Sequence, residues 1–525
     1  VPLIDQPQAV GEGLSTQEAT TRKKKGGEMY DVRTGMATMR RCWRSGTAAV
    51  AAVFLLTAPA ALAAGTATTN HPLADSKVKS AIEDEFLTDA TVPFHAVDVK
   101  VLDGVVTLSG TVDTLLARDR AVDLARSIRG VRSVVNELQV KPVPRSDADL
   151  HRDIEEALAT DPAADSYEVK VSVADGVATL TGTVDSWQEK RIVGRVVEGV
   201  RGVKRVDNDL TFRIPATRPD AEIQAEIRDR LHWDARVDDG LVNVVVNDGE
   251  VRLSGAVGSA LERAYARGDA WVPGVKRVDD SDLKVEWWAR DEMRRDKYVF
   301  KSDDQIRRAV EDTFLYDPRV LSFKPRVEVD NGTVTLSGVV DNAEARRAAE
   351  RDARNTVGVL MVRNHLQVRP ANAVGDATIT RKVEQALSRD PMLDRYGVVV
   401  TTYDGEVTLT GEVDSRFEKR LAEDDASTVA GVVDVHNRLD VQPAIARSDR
   451  DIEQNVENQL IWSPFVDASD VHVAVDGGVA TLTGTVDTWM EYSQAARSAR
   501  EGGAVSVRNE LKVKPEKGAA AVPSS

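Results

Sequence analysis

The sequence predicts an α+β protein built as six tandem copies of a small two-layer α-β-β-α-β module, behind an N-terminal signal segment. Three observations predict it. A glycine recurs at Gly110, Gly182, Gly255, Gly338, Gly411 and Gly484, in steps of 72, 73, 83, 73 and 73 residues. Another glycine precedes each by six residues (Gly104, Gly176, Gly249, Gly332, Gly405, Gly478), and a third follows some way downstream, from Gly130 in the first copy to Gly503 in the last. The flanking residues show helical and strand periodicity in a fixed order. A period above about 50 residues builds whole domains rather than solenoid turns.

Each copy opens with apolar pairs at i, i+4, such as Ile82/Phe86, Ile154/Leu158 and Val310/Phe314, which mark one face of a helix. Ser302-x-x-Gln305 reads as a capping box. Asp161-Pro162, Asp317-Pro318 and Asp390-Pro391 mark the exit, because a residue before proline avoids the helical region. Alternation follows: Val97, Val99 and Val101, then Asp103-Gly104, then Val106, Leu108, Gly110 and Val112. This is a hairpin with an Asp-Gly turn. The six recurrent glycines fall on the apolar face of its second strand, where glycine costs stability unless another backbone comes close. The expected visitor is a second helix, with small residues at i, i+4: Ala121/Ala125, Val193/Val197, Ala266/Ala270, Ala349/Ala353, Ala422/Ala426 and Ala495/Ala499. Ser186-x-x-Glu189, Ser259-x-x-Glu262, Ser415-x-x-Glu418 and Thr488-x-x-Glu491 start it as capping boxes, the third glycine ends it, and a closing strand follows.

This order, these glycine spacings and the ending Gly-Val-x-x-Val-x-Asn-x-Leu, complete in Gly130 to Leu138, resemble the BON domain, the bacterial osmotically inducible protein and nodulation domain. The third copy departs from it, with Asp280 in place of Asn and Gly258 where other copies have Asp. The expected organisation is a leader and signal peptide (1–63), modules at 75–141, 146–213 and 218–286, an aromatic and basic linker (287–300), modules at 301–369, 376–441 and 448–514, and a disordered tail (515–525).

Met39-Arg40-Arg41-Cys42-Trp43-Arg44, the apolar run Thr47 to Ala61 and Ala61-Leu62-Ala63 have the n-, h- and c-regions of a secretory signal. Lys25 to Met29 back-translates into a ribosome-binding site and start codon, so translation is expected to begin at Met29, Met36 or Met39. Cys42, the single cysteine, leaves with the signal. The product is therefore expected to be exported and periplasmic, or secreted if the host has one membrane, without disulfide or thiol chemistry. Residues beyond 63 hold 61 basic and 80 acidic side chains, a formal charge of −19. That balance argues against a nucleic-acid partner.

No catalytic, metal or cofactor site is expected. The seven histidines share no repeat position, and no Gly-x-Ser-x-Gly elbow or phosphate loop occurs. The aspartates Asp113, Asp185, Asp341, Asp414 and Asp487, just before the second helices, read as caps rather than catalytic groups. The candidate contact surface is the linker, where Trp287 and Trp288 precede Arg290, Arg294, Arg295 and Lys297. Aromatic and basic residues together suit a membrane interface or a partner groove; the same residues also suit an amphipathic connector packed between modules 3 and 4. The family resemblance implies a non-enzymatic, exported, multi-module binding protein of the cell envelope, concerned with stress or envelope maintenance. Its expected partners are envelope proteins and a membrane surface or phospholipid, bound weakly and multivalently. The alternative is a protein-binding scaffold or holdase-type chaperone that binds no lipid, which the acidity favours.

Overall fold

In each module the polypeptide runs helix, hairpin, helix, strand, and the computed structural model of the chain repeats this six times. It describes residues 73–513 apart from 90, 162, 165–168, 215–217, 287–288, 290–296, 298–300, 394–396, 443–447 and 487. Residues 1–63 and 515–525, read from the sequence as leader, signal peptide and tail, lie outside the described residues. All six modules belong to one compact unit.

Module 1 shows the plan. Its first helix spans Asp75–Thr88, its hairpin strands Val97–Leu102 and Val105–Val112, its second helix Leu115–Arg126 and its closing strand Ser133–Val140. The hairpin pairs antiparallel and the closing strand adds in parallel, so the glycine-bearing strand lies in the centre, with Gly110 opposite Val97 on one side and Leu138 on the other. A parallel pair needs a crossover, and the second helix supplies it. Val106, Leu108 and Val112 are buried together with Ala121 and Ala125 of that helix. The equivalent small residues, Val193/Val197 through Ala495/Ala499, are all fully buried.

The hairpin turns have the backbone their sequences require. Asp103 and Gly104 have φ of 50° and 72°, and the turns at Asp175-Gly176, Asp248-Gly249, Asn331-Gly332, Asp404-Gly405 and Gly477-Gly478 repeat this. Two successive positive φ values define a type I′ turn, whose twist matches the strands it joins.

The recurrent central glycines have a different cause from the one expected. The second helix does not press on them. All six have φ between 107° and 135°, and at Gly110, Gly255, Gly411 and Gly484 the backbone that enters the hairpin comes close instead, whereas a Cβ on Gly338 would meet nothing nearer than Leu366 at 3.8 Å. A Cβ on Gly110 would stand 2.1 Å from the Ala96 carbonyl oxygen, and on Gly255 or Gly484 1.9 Å from those of Leu241 or Asp470. The third glycine also differs from expectation in module 1. It lies beyond the second helix, and Gly130 brings the following loop against Leu73 and Val78 at the first helix.

Capping at the second helices falls one residue later than the aspartates. Thr114, Ser186, Ser259, Asn342, Ser415 and Thr488 are the N-caps, each accepting from the amide three residues on. Asp185 instead pairs with Arg213 at 2.6 Å.

Candidate functional site

Two polar devices recur inside the modules. The first residue of every first helix is an aspartate: Asp75, Asp147, Asp220, Asp303, Asp376 and Asp449. Its two carboxylate oxygens accept the two amides of the hairpin turn, at 2.7–3.0 Å, in all six copies. The asparagine of the closing strand binds a carbonyl of the second helix. Asn208 reaches Lys190, Asn364 Arg346, Asn437 Lys419 and Asn509 Tyr492, at 2.6–2.9 Å. Where module 3 has Asp280, Arg263 donates to it at 2.8 Å, so the exchange of amide for carboxylate is compensated.

The modules then dock in two ways. In modules 1 to 5 the first residue of the second helix reaches a neighbour. Leu115 enters the core of module 2, Trp187 stacks on Trp271 of module 3 (centroids 5.0 Å apart, planes at 6°), and Ala260 closes the ring into the core of module 1. In the other half Ala343 joins the core of module 5, and Arg416 donates to the Ala504 and Val505 carbonyls of module 6 at 2.5 and 2.6 Å. The halves are joined in reverse order, 1 with 6, 2 with 5 and 3 with 4. In each pair an amide just before the third glycine meets the last carbonyl of a first helix. Arg129 donates to Trp462, Arg201 to Arg389 and Val357 to Trp233, at 2.8–2.9 Å.

These junctions bury unusual charge. In modules 3, 4 and 5 an aspartate after the first helix (Asp234, Asp317, Asp390) faces one on the second (Asp269, Asp352, Asp425). The Oδ2 atoms of Asp269, Asp352 and Asp425 are sealed from solvent and have no hydrogen-bond partner among the described residues. Burial pushes Asp269 up to about 8, and the neighbouring Asp234 adds to the shift. Burial opposes ionisation of Asp234 too, but Arg236 at 2.9 Å holds it down near 2. Burial and then Asp317 raise Asp352; burial, Asp390 and Asp424 raise Asp425. Met392 occupies the position in module 5 that Arg236 and Arg319 occupy in modules 3 and 4. A carboxyl so placed keeps its proton well above the usual range.

A cavity of about 670 Å³ opens where modules 1, 5 and 6 meet, with Leu261 and Tyr265 of module 3 also on its lining. Phe417 and Trp462 line it beside Arg416, Arg420, Arg497 and Arg500. The volume lies in the range of small-ligand sites. Among the described residues no group of three or more His, Cys, Asp or Glu is disposed to hold a metal ion.

Of the linker residues, Trp287, Trp288, Arg290, Arg294 and Arg295 lie outside the described residues. Lys297 is described, and it departs from the expected surface role. It is 5% exposed, its ammonium donates to the Leu231 carbonyl at 2.7 Å and to that of Val237, and it pairs with Asp239 at 3.1 Å. An ammonium placed there satisfies the end of a helix in module 3 and cannot reach a lipid. The cavity arginines and the carboxylate pairs had no local signature. The pairs alone carried a periodic one, since Asp269, Asp352 and Asp425 each stand 14 residues after the recurrent glycine.

The BON domain family model matches residues 74–142, 146–214, 219–286, 302–370, 375–443 and 448–515. The chain belongs to the BON domain family. Its BON modules are similar to "Osmotically-inducible protein Y" of Escherichia coli (34% identity over 26% of this chain and 69% of that protein). They are also similar to "Outer membrane lipoprotein DolP" of Haemophilus influenzae (32% identity over 27% of this chain and 74% of that protein). CdsD, a structural protein of the Type III secretion system of Chlamydia trachomatis, aligns over 42% of this chain and 93% of its own at 16% identity, with a TM-score of 0.12, too loose a likeness to bear on function.

Proposed function

We propose that this BON protein is a non-enzymatic, exported binding protein of the cell envelope, serving stress resistance or envelope maintenance, with weak multivalent contact to phospholipid surfaces. The observation that carries the reading is that, among the described residues, the polar groups repeated through the modules serve hairpin locks, strand anchors and helix caps, and none of these forms a recurring catalytic constellation. The relatives named as an osmotically inducible protein and an outer membrane lipoprotein support the compartment. Trp287 and Trp288, with Arg290, Arg294 and Arg295, are the proposed membrane contact; Lys297 is not part of it.

Co-sedimentation with phosphatidylglycerol vesicles tests the reading. Binding by the native chain, lowered in Trp287→Ala/Trp288→Ala with unchanged circular dichroism, is the expected result. The formal charge of −19 beyond residue 63 favours a second reading, a protein-binding scaffold or holdase. Absence of vesicle binding together with suppression of aggregation of an unfolded client protein would select it.

A further inference from the structure

We infer that the cavity between modules 1, 5 and 6 is a binding site for a phosphate group, held by Arg416, Arg420, Arg497 and Arg500. The inference gives the binding-protein reading a ligand class and a location, and it rests on residues other than Trp287 and Trp288.

The cations are in surplus on one wall. Arg420 and Arg497 make no hydrogen bond or ion pair within 4 Å among the described residues, and Arg500 makes only a 3.4 Å bond to a carbonyl of its own helix. Arg416 has its Nη2 on two carbonyls of module 6, which fixes the guanidinium at the cavity without neutralising it. The four crowd one another. Arg416 is pushed below its usual range by burial, then by Arg500 and Arg420. Arg420 is lowered in the same way by partial desolvation, although its side chain, like those of Arg497 and Arg500, is exposed at the cavity mouth; Glu501 opposes the shift, while Arg120 and Arg497 add to it. A bound anion relieves that repulsion.

The acidic residues on the lining do not cancel this charge. Asp89 is engaged by Arg120 at 2.8 Å. Burial pushes Glu85 up to about 7, and its carboxyl also accepts from Gln459. Asp123 is exposed and is paired with Arg126 at 3.4 Å. Asp414 has a partner of its own. Glu501 and the exposed Asp440 remain, fewer than the guanidiniums they face. Guanidinium is the cation whose planar donor fork fits the oxygens of a phosphate. Phe417 and Trp462 on the same lining leave room for an apolar substituent on that phosphate. The source of the group is therefore either a free phosphate or a lipid headgroup.

The test uses the full six-module chain. Calorimetric titration with inorganic phosphate should show saturable binding if the free anion is the ligand. Binding to phosphatidylglycerol but not phosphatidylcholine vesicles, with no heat from inorganic phosphate, assigns the group to a lipid. In either case Arg420→Gln/Arg497→Gln should weaken binding by about tenfold or more at an unchanged unfolding midpoint. Arg500→Gln, at an exposed position with one long bond, carries the same test should the double variant misfold. Equal binding by native and variant chains, or no binding to either probe, overturns the inference. Retained phosphate binding in Trp287→Ala/Trp288→Ala beside lost vesicle binding would leave the cavity intact and locate membrane contact in the linker alone.

Discussion

Arg129 of the first module donates its amide to the carbonyl of Trp462 in the sixth, across 2.9 Å. A bond between the ends of the array closes it. The Arg201–Arg389 and Val357–Trp233 bonds repeat the contact further in, so modules 1–3 lie against modules 4–6 in reverse order. Small-angle scattering should therefore give a radius of gyration near that of one globule of about 450 residues, roughly 22 Å. Six modules strung as a rod would exceed roughly 40 Å, and that value would contradict the closed arrangement.

The aspartate lock at the hairpin should be worth more than its exposure implies. Asp147 accepts from Asp175 and Gly176 at 3.0 and 2.9 Å, tying a turn 28 residues away to the start of the helix. Hydrogen bonds to a charged group contribute about 1.5–3 kcal/mol. Asp147→Ala should lower the stability of module 2 by that order in denaturant melts, whereas Asp149→Ala, two residues along in the same first turn, should cost less. Equal losses would mean that the lock is idle in solution.

What the sequence revealed was whatever is local. Type I′ turns, serine caps and small-residue helix faces depend on neighbours within a few positions, and Asp103-Gly104 or Ser186-x-x-Glu189 displays them in full. The aspartates from Asp75 to Asp449 are as periodic as the glycines, but their partners lie 28 and 29 residues away, so nothing next to a helix-start aspartate marks it as a lock. Gly110 was recognised as a close approach, yet the approaching group, the Ala96 carbonyl, depends on a positive φ that periodicity does not encode. Composition places Lys297 with the surface cations of the linker; its actual place under the end of a helix in module 3 depends on tertiary packing. Contacts such as Arg129 to Trp462 span most of the chain and leave no trace in local pattern.

The close approach makes its own prediction. On Gly110 a methyl would stand 2.1 Å from the Ala96 oxygen, and φ of 121° strains any L side chain. Strain and overpacking each cost about 1–3 kcal/mol. Gly110→Ala should therefore destabilise module 1 far more than Asp113→Ala, an exposed change expected to stay within about 0.5 kcal/mol. Thermal melts of the two variants compare them directly. A near-neutral Gly110→Ala would show that the hairpin entry moves aside at little cost.

The buried carboxyls give the protein a stability that falls toward alkaline pH. Asp269, raised to about 8, keeps its proton in the folded chain across a range where the unfolded chain, with its ordinary carboxylate near 3.8, has released it. The folded state then binds more protons, so stability is full below about pH 4, declines as the pH rises to 8 and levels off above it. Asp161, raised to about 6 by burial, and Glu85, raised to about 7, act in the same direction over narrower windows. Asp234 and Asp239, both held near 2, act oppositely, losing their contribution only as the pH falls from about 4 toward 2. The melting temperature should accordingly be higher at pH 5 than at pH 8, measured at 0.15 M salt so that general repulsion is screened beyond about 8 Å. Asp269→Asn removes the titrating group and keeps the shape. It should raise the midpoint at pH 8 and shrink the difference between the two pH values, by an amount of order 1–3 kcal/mol in stability. Should Asp269→Asn instead lower the midpoint equally at both pH values, the carboxyl is a structural acceptor and its proton does not govern the junction.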